Sequence, residues 1–183
     1  MCCLIALTAC AESARGEAKQ PATSPAAPAG FTWKRFDPAR TSFLVPDGWH
    51  VLSESSNGTD AVFITKEEIR PGGTFVTGVT INVVTRNKKT DVAALGAAMI
   101  KEMRKKGEVL ESVDDVKHGP LTGSSCTVAL AAPNDNLITY VAALADTSAN
   151  RLYIVQFEAP KAEWTNAWRI GKVVAEQFRV DPK

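Results

Sequence analysis

The segment Leu137-Ile138-Thr139-Tyr140-Val141-Ala142-Ala143-Leu144 carries apolar side chains at both parities of an extended chain. Leu137, Val141 and Ala143 share one face, and Ile138, Ala142 and Leu144 share the other. A strand that is apolar on both faces has to be covered on both. This excludes a sheet with one wet side and requires the rest of the chain to supply two covering layers.

Two segments have the helical spacing to do so. Asp91 is placed to cap a helix in which Val92, Leu95, Met99 and Met103 recur on one face, and Gly107 is expected to close it after Arg104, Lys105 and Lys106. A second helix, over about residues 161–177, presents Trp164, Ala167, Trp168, Gly171, Val174, Ala175 and Phe178 as one stripe. Between Phe31 and Thr85 the chain reads as short strands, FTWKRF, SFLV, WHVLSE, AVFITK and FVTGVTINVVT. Asp37-Pro38, Pro46-Asp47-Gly48, Asn57-Gly58 and Pro71-Gly72-Gly73 break them apart. In the last of these strands Phe75, Val79, Ile81 and Val83 share a face. A strand around EVLESVDDV is followed by a meander of SSCTVAL, LITYVAAL and RLYIVQFE. The pattern predicts an α+β domain, a three-layer α/β/α sandwich with a largely antiparallel sheet, over residues 31–183.

The first 30 residues have a different character. An apolar start, MCCLIALTAC, turns abruptly into an Ala, Pro and Ser-rich stretch that cannot bury enough apolar surface to fold. Leu7, Thr8, Ala9 and Cys10 resemble the lipobox of bacterial lipoproteins, in which the signal is cut just before the cysteine and that cysteine carries lipid. The resemblance implies a signal segment over 1–9, lipidation of Cys10 and a disordered tether over 10–30. No Lys or Arg precedes the apolar segment, so a start upstream of Met1 is expected. Ala11, where inner-membrane retention uses Asp, implies the outer membrane, with the domain held on the periplasmic side. The several acyl chains of a bacterial lipoprotein suffice for stable anchoring.

The folded part also carries a resemblance. Phe43-Leu44-Val45-Pro46-Asp47-Gly48-Trp49, the strand Leu152-Tyr153-Ile154-Val155, the Trp164 helix and the closing Phe178 resemble the PsbP-like superfamily. This superfamily includes the photosystem II extrinsic subunit, a Ran-binding nuclear import factor of the same fold and bacterial lipoproteins of the DcrB type. It implies an accessory or binding domain. The matching motifs are packing motifs, and no binding residue carries over from any member.

The residues themselves offer little chemistry. With 21 basic and 20 acidic side chains the net charge is +1, which gives no electrostatic footprint for nucleic acid. No apolar run reaches the roughly 18 residues that a membrane-spanning helix needs. Three of the 4 cysteines fall in the first ten residues, so neither a disulfide framework nor paired zinc spacing is present. Gly73 and Gly78 are spaced like a phosphate loop, but Val79 stands where the Lys that reaches the phosphates is required. Thr122-Gly123-Ser124-Ser125-Cys126 lacks the second glycine of a nucleophile elbow and leads into a strand. Cys126 alternates with Val128 and Leu130 and reads as a buried hydrophobe. Trp164 and Trp168 read as core, and His50 as a surface or half-buried residue. The two basic groups around the first helix lie at its opposite ends and read as separate solvated clusters.

Asp114, Asp115 and His118 are the nearest approach to a ligand-binding cluster. On extended backbone Asp114 and His118 would stand about 13 Å apart, too far to share one metal ion, so no metal site is assigned. No catalytic residue and no cofactor are assigned either. The reading that follows is a lipid-anchored, non-enzymatic domain that binds another envelope protein. The alternative is a small-ligand or metal-binding periplasmic lipoprotein, with Asp114, Asp115 and His118 as its weak candidates.

Overall fold

The computed structural model describes residues 25–180, apart from 57, 88 and 135. The residues before 25, which include Cys10 and most of the expected tether, lie outside the described residues. The elements are β1 (Phe31–Phe36), β2 (Thr41–Pro46), β3 (His50–Ser56), β4 (Thr59–Thr65), β5 (Gly78–Thr85), α1 (Val92–Met103), β6 (Gly107–His118), β7 (Leu121–Leu130), β8 (Leu137–Asp146), β9 (Arg151–Pro160), α2 (Trp164–Gln177) and β10 (Arg179–Val180). They form an α+β fold with two sheets, a three-stranded one in the order β1-β2-β10 and a seven-stranded one in the order β3-β4-β5-β9-β8-β7-β6. Every pairing is antiparallel.

The two-faced strand explains the architecture. Val141, Ala143 and Ala145 of β8 pack with Val92, Ile100 and Met103 of α1. Their neighbours in sequence, Ala142 and Leu144, pack with Val174 and Ala175 of α2 and with Phe43 and Val45 of the small sheet. Successive side chains alternate across a strand, so the two clusters occupy opposite faces of the large sheet. β9 alternates in the same way, with Leu152 in the α1 cluster and Tyr153, Val155 and Phe157 in the α2 cluster. The meander β7-β8-β9 and its two turns stand where the sequence pattern puts them.

The structure corrects three local expectations. The Asp91 cap is present, its carboxylate accepting from the Ala93 and Ala94 amides at 2.9 and 3.0 Å, but the buried stripe of α1 is Val92, Gly96, Ile100 and Met103. Leu95 is 36% exposed. In an Ala-rich helix the packing surface is chosen by close approach: Gly96 lets the backbone settle on Leu152 and Ala143, which a Cβ there would meet at 3.0 and 3.4 Å. Gly107 does not close α1, which ends at Met103 with Arg104 as its C-cap; it opens β6 where any Cβ would stand 2.0 Å from the Ala129 carbonyl oxygen. Finally, β5 begins at Gly78 and excludes Phe75, whose ring packs edge-on against Phe63 at 6.5 Å.

Candidate functional site

α2 rests on the sheet through bulky aromatic rings. Trp164 and Trp168 stack in parallel, 5.4 Å between centroids, and both lean on Phe157 at 5.5 Å. One turn further on, Gly171 admits the Phe157 ring so closely that a Cβ would fall 2.4 Å from it. A helix carried on large side chains stands off the strands beside it, and a groove of about 360 Å³ opens between α2 and β6.

Its floor follows from register. Glu111, Thr127 and Tyr140 are paired across β6, β7 and β8; so are Val113, Ser125 and Ala142, and then Val116, Gly123 and Leu144. Cross-strand partners share a face, so all of these look toward α2. Trp168, Lys172 and Glu176 wall the groove from the helix, the last two as an ion pair at 3.5 Å. The Tyr140 ring meets Trp168 at 4.7 Å. Burial pushes its phenol pKa up, a hydrogen bond with Ser125 opposes this, and the Glu176 and Glu111 carboxylates add to the rise. The phenol is therefore a neutral hydrogen-bonding group at physiological pH.

The outer wall of the groove is β6, an edge of the large sheet. It is the most exposed strand among the described residues, with Val109, Leu110 and Val113 showing more than 40% of their surface. Its pairing with β7 slips at Leu110 and again between Val113 and Val116, two bulges that leave Glu111, Ser112 and Val113 as a regularly paired stretch between them.

No family model and no curated protein matches the sequence. Solved structures do match. The solution structure of cyanobacterial PsbP (CyanoP) from Synechocystis superposes with a TM-score of 0.59 at 13% identity, over 87% of this chain and 98% of that one. The Ran-binding protein Mog1p of Saccharomyces cerevisiae superposes at 0.51 and 13% identity, over 82% of this chain and 95% of that one. The chain has the PsbP/Mog1 fold.

On this PsbP/Mog1 scaffold the three weak ligand candidates are not gathered in one place. Asp114, in the second bulge, pairs with Arg104 at the end of α1. His118 lies at one end of the groove, stacked on Phe178 with 4.1 Å between centroids. Its Nε2 is bonded to the Phe178 carbonyl oxygen, which only accepts, so this nitrogen carries the proton. Asp115 is exposed beside Asp114. Among the described residues no group of three or more His, Cys, Asp or Glu side chains could hold a metal ion.

Cys126 is 1% exposed and packs with Val128 in the α1 cluster, as its parity requires. His50 is exposed at the start of β3. Trp164 and Trp168 are half-buried against the core. Tyr140, Ser125 and Glu176 were not singled out by sequence reasoning. The available signal was polarity in the wrong place: Ser125, Thr127 and Tyr140 put hydroxyls at positions where a covered strand otherwise carries aliphatic side chains.

Proposed function

We propose that this protein is a lipid-anchored, non-enzymatic binding domain of the bacterial cell envelope, which holds an extended segment of a partner protein along β6. The two helices and the sheets then form a three-layer α/β/α scaffold whose exposed edge does the binding. The observation that carries this reading is the edge itself: twelve residues long, mostly exposed, apolar at Val109, Leu110 and Val113, and flanked by a groove. The outward amides and carbonyls of an edge strand accept one more strand, and side-chain pockets beside it supply specificity. β6 carries Glu108, Glu111, Asp114 and Asp115 against one lysine, Lys117, which selects a partner segment bearing Lys or Arg.

The fold supports an accessory role, since one similar structure is described as a Ran-binding protein. In the groove the Nε2 of His118 is committed to a backbone carbonyl, and Cys126 packs within the α1 cluster. Cys10 supplies the anchor, and among the described residues no helix is long and apolar enough to cross a membrane. Outer-membrane sorting through Ala11 belongs to the same proposal.

Photo-crosslinking residues placed in living cells at Leu110 and at Val113 should trap one envelope protein, and the same residue at Ser53 on the opposite edge strand should not. Cys10→Ala should abolish that cross-link by releasing the domain from the membrane. Equal trapping from both edges, or an unchanged membrane partition of the Cys10→Ala protein, would overturn the proposal. The polar lining of the groove favours a second reading, a small ligand held by Tyr140, Ser125 and Glu176, with His118 at its end. A cross-link pattern unaffected by Val113→Lys would favour it.

A further inference from the structure

The groove between α2 and β6 holds two carboxylates on opposite walls, Glu111 from β6 and Glu176 from the last turn of α2. They converge, since each is close enough to the Tyr140 phenol to act on it electrostatically. Of the two lysines along the groove, Lys117 stands between Val116, which packs on the α2 cluster, and His118, which stacks on Phe178 of that cluster. Alternation sends the Lys117 side chain to the other face of the sheet. Lys172 remains, one turn before Glu176, and its contact with that carboxylate is 3.5 Å, longer than the roughly 2.9 Å of a charge-assisted hydrogen bond. Glu111 makes no ion pair with any described residue. Two carboxylates thus share one ammonium beside a wall built by the Tyr140 and Trp168 rings.

These carboxylates stand where an added strand would deliver a side chain. Glu111 and Val113 lie in the regularly paired stretch between the two bulges of β6, and both look toward α2. A strand added outside β6 would run about 5 Å from it. Its residues facing α2 would stand beside Glu111 and Val113, and a long side chain from one of them would cross the exposed Val113 and arrive between Glu111 and Glu176. Lysine brings a point charge to such a place. Arginine brings a planar fork of five donors that can bond two carboxylates held by different elements, on a stem that lies along apolar side chains.

We propose that this groove is the specificity pocket for one arginine of the segment held along β6, its guanidinium bridging Glu111 and Glu176. The inference rests on the β6 reading and names the residue that the segment has to carry.

Nα-acetyl-arginine amide, titrated into the full chain, should shift the Trp168 indole N–H resonance in a saturable way. The citrulline analogue, of the same shape without the charge, should bind about tenfold more weakly, and the lysine analogue should fall between them. Glu111→Gln and Glu176→Gln change exposed side chains, so both variants should fold as the wild type does; each should lower the arginine affinity about threefold, and the pair about tenfold. The pocket is overturned if the arginine analogue binds no more tightly than its citrulline or lysine counterpart, or if the double variant keeps the wild-type affinity, even where a photo-crosslinking residue at Leu110 still traps a partner. Arginine binding together with equal trapping from both sheet edges would instead remove the β6 partner, and this proposal with it.

Discussion

The two faces of the large sheet are covered by helices that meet it in opposite ways. α1 approaches through small residues, with Gly96 against Ala143 and Leu152, and buries Val141, Ala145 and Cys126 beneath it. α2 rides on Trp164 and Trp168, and clefts open on both its flanks, the groove toward β6 and another lined by Trp49, Lys66 and Ile170. The cavity on the α1 side lies beyond the C-terminal end of that helix, around Met103, Lys105 and Glu158. Small side chains bring backbones together and seal a face; large rings hold them apart and leave room for ligands. The proposed partner groove accordingly lies on the α2 face.

The largest effect that could break this comparison concerns Cys126. If the α1 face is sealed, its thiol should react only when the sheet opens. Burial pushes the thiol pKa up, which lowers the thiolate fraction further. Labelling by a thiol reagent in buffer should be at least about a thousandfold slower than in denaturant, reflecting the opening free energy of a core strand. Equal rates would show that the face is not closed.

A matched pair of substitutions sharpens the contrast. Replacing a helical glycine by alanine gains about 1 kcal/mol of propensity in either helix. At Gly96 the added methyl meets the movable end of Leu152 at 3.0 Å, so Gly96→Ala should change stability by less than about 0.5 kcal/mol. At Gly171 it meets the Phe157 ring at 2.4 Å, and that ring is fully buried and packed against both Trp164 and Trp168, so it cannot swing away. Overpacking costs about 1 to 3 kcal/mol, and an approach this close to a ring that cannot move belongs in the upper half of that range, so after the propensity gain Gly171→Ala should lower stability by about 1 to 2 kcal/mol net, with the melting temperature falling by about 2 to 4 °C per kcal/mol. Equal responses from the two variants would remove the proposed difference in seating.

The same contrast explains what was legible in the sequence. The meander, the Asp91 cap, the Trp164 stripe and the parity of Cys126 are local patterns with strong contrast between apolar and polar positions, and they read correctly. The seating of α1 did not, because in VAALGAAMIKEM nearly every position is apolar and only the fit to Ala143 and Leu152 selects Gly96 and Ile100 over Leu95 and Met99. Gly107 looked like a helix stop because its constraint, the Ala129 carbonyl, arrives from a strand 22 residues later. The candidate sites were invisible for the same reason. Glu111 reaches Tyr140 only across β7. Asp114 and His118, close in sequence, are sent to different partners, Arg104 and Phe178.

The smallest effect tests the open end of the α1 face. Glu158 lines the cavity beyond α1, and burial holds its carboxyl above the usual 4.5, with a hydrogen bond from Gln156 opposing the rise at 3.1 Å. Its folded pKa therefore exceeds its unfolded one. The folded state binds the proton more tightly, so the group's contribution is fully present below about pH 4 and is lost as pH rises from the unfolded value through the folded one. Above that window the charged carboxylate is a standing cost. Glu158→Gln keeps the shape and an amide able to pair with Gln156, and removes the charge. The variant should equal the wild type near pH 4 and exceed it near pH 7, by less than about 1 kcal/mol because the side chain is half-exposed and screened. Urea midpoints at the two pH values measure this directly. A variant that loses stability at pH 7 would mean that a cation neutralises Glu158 in the folded protein, and the end of the α1 face would then have to be counted as a charged site in its own right.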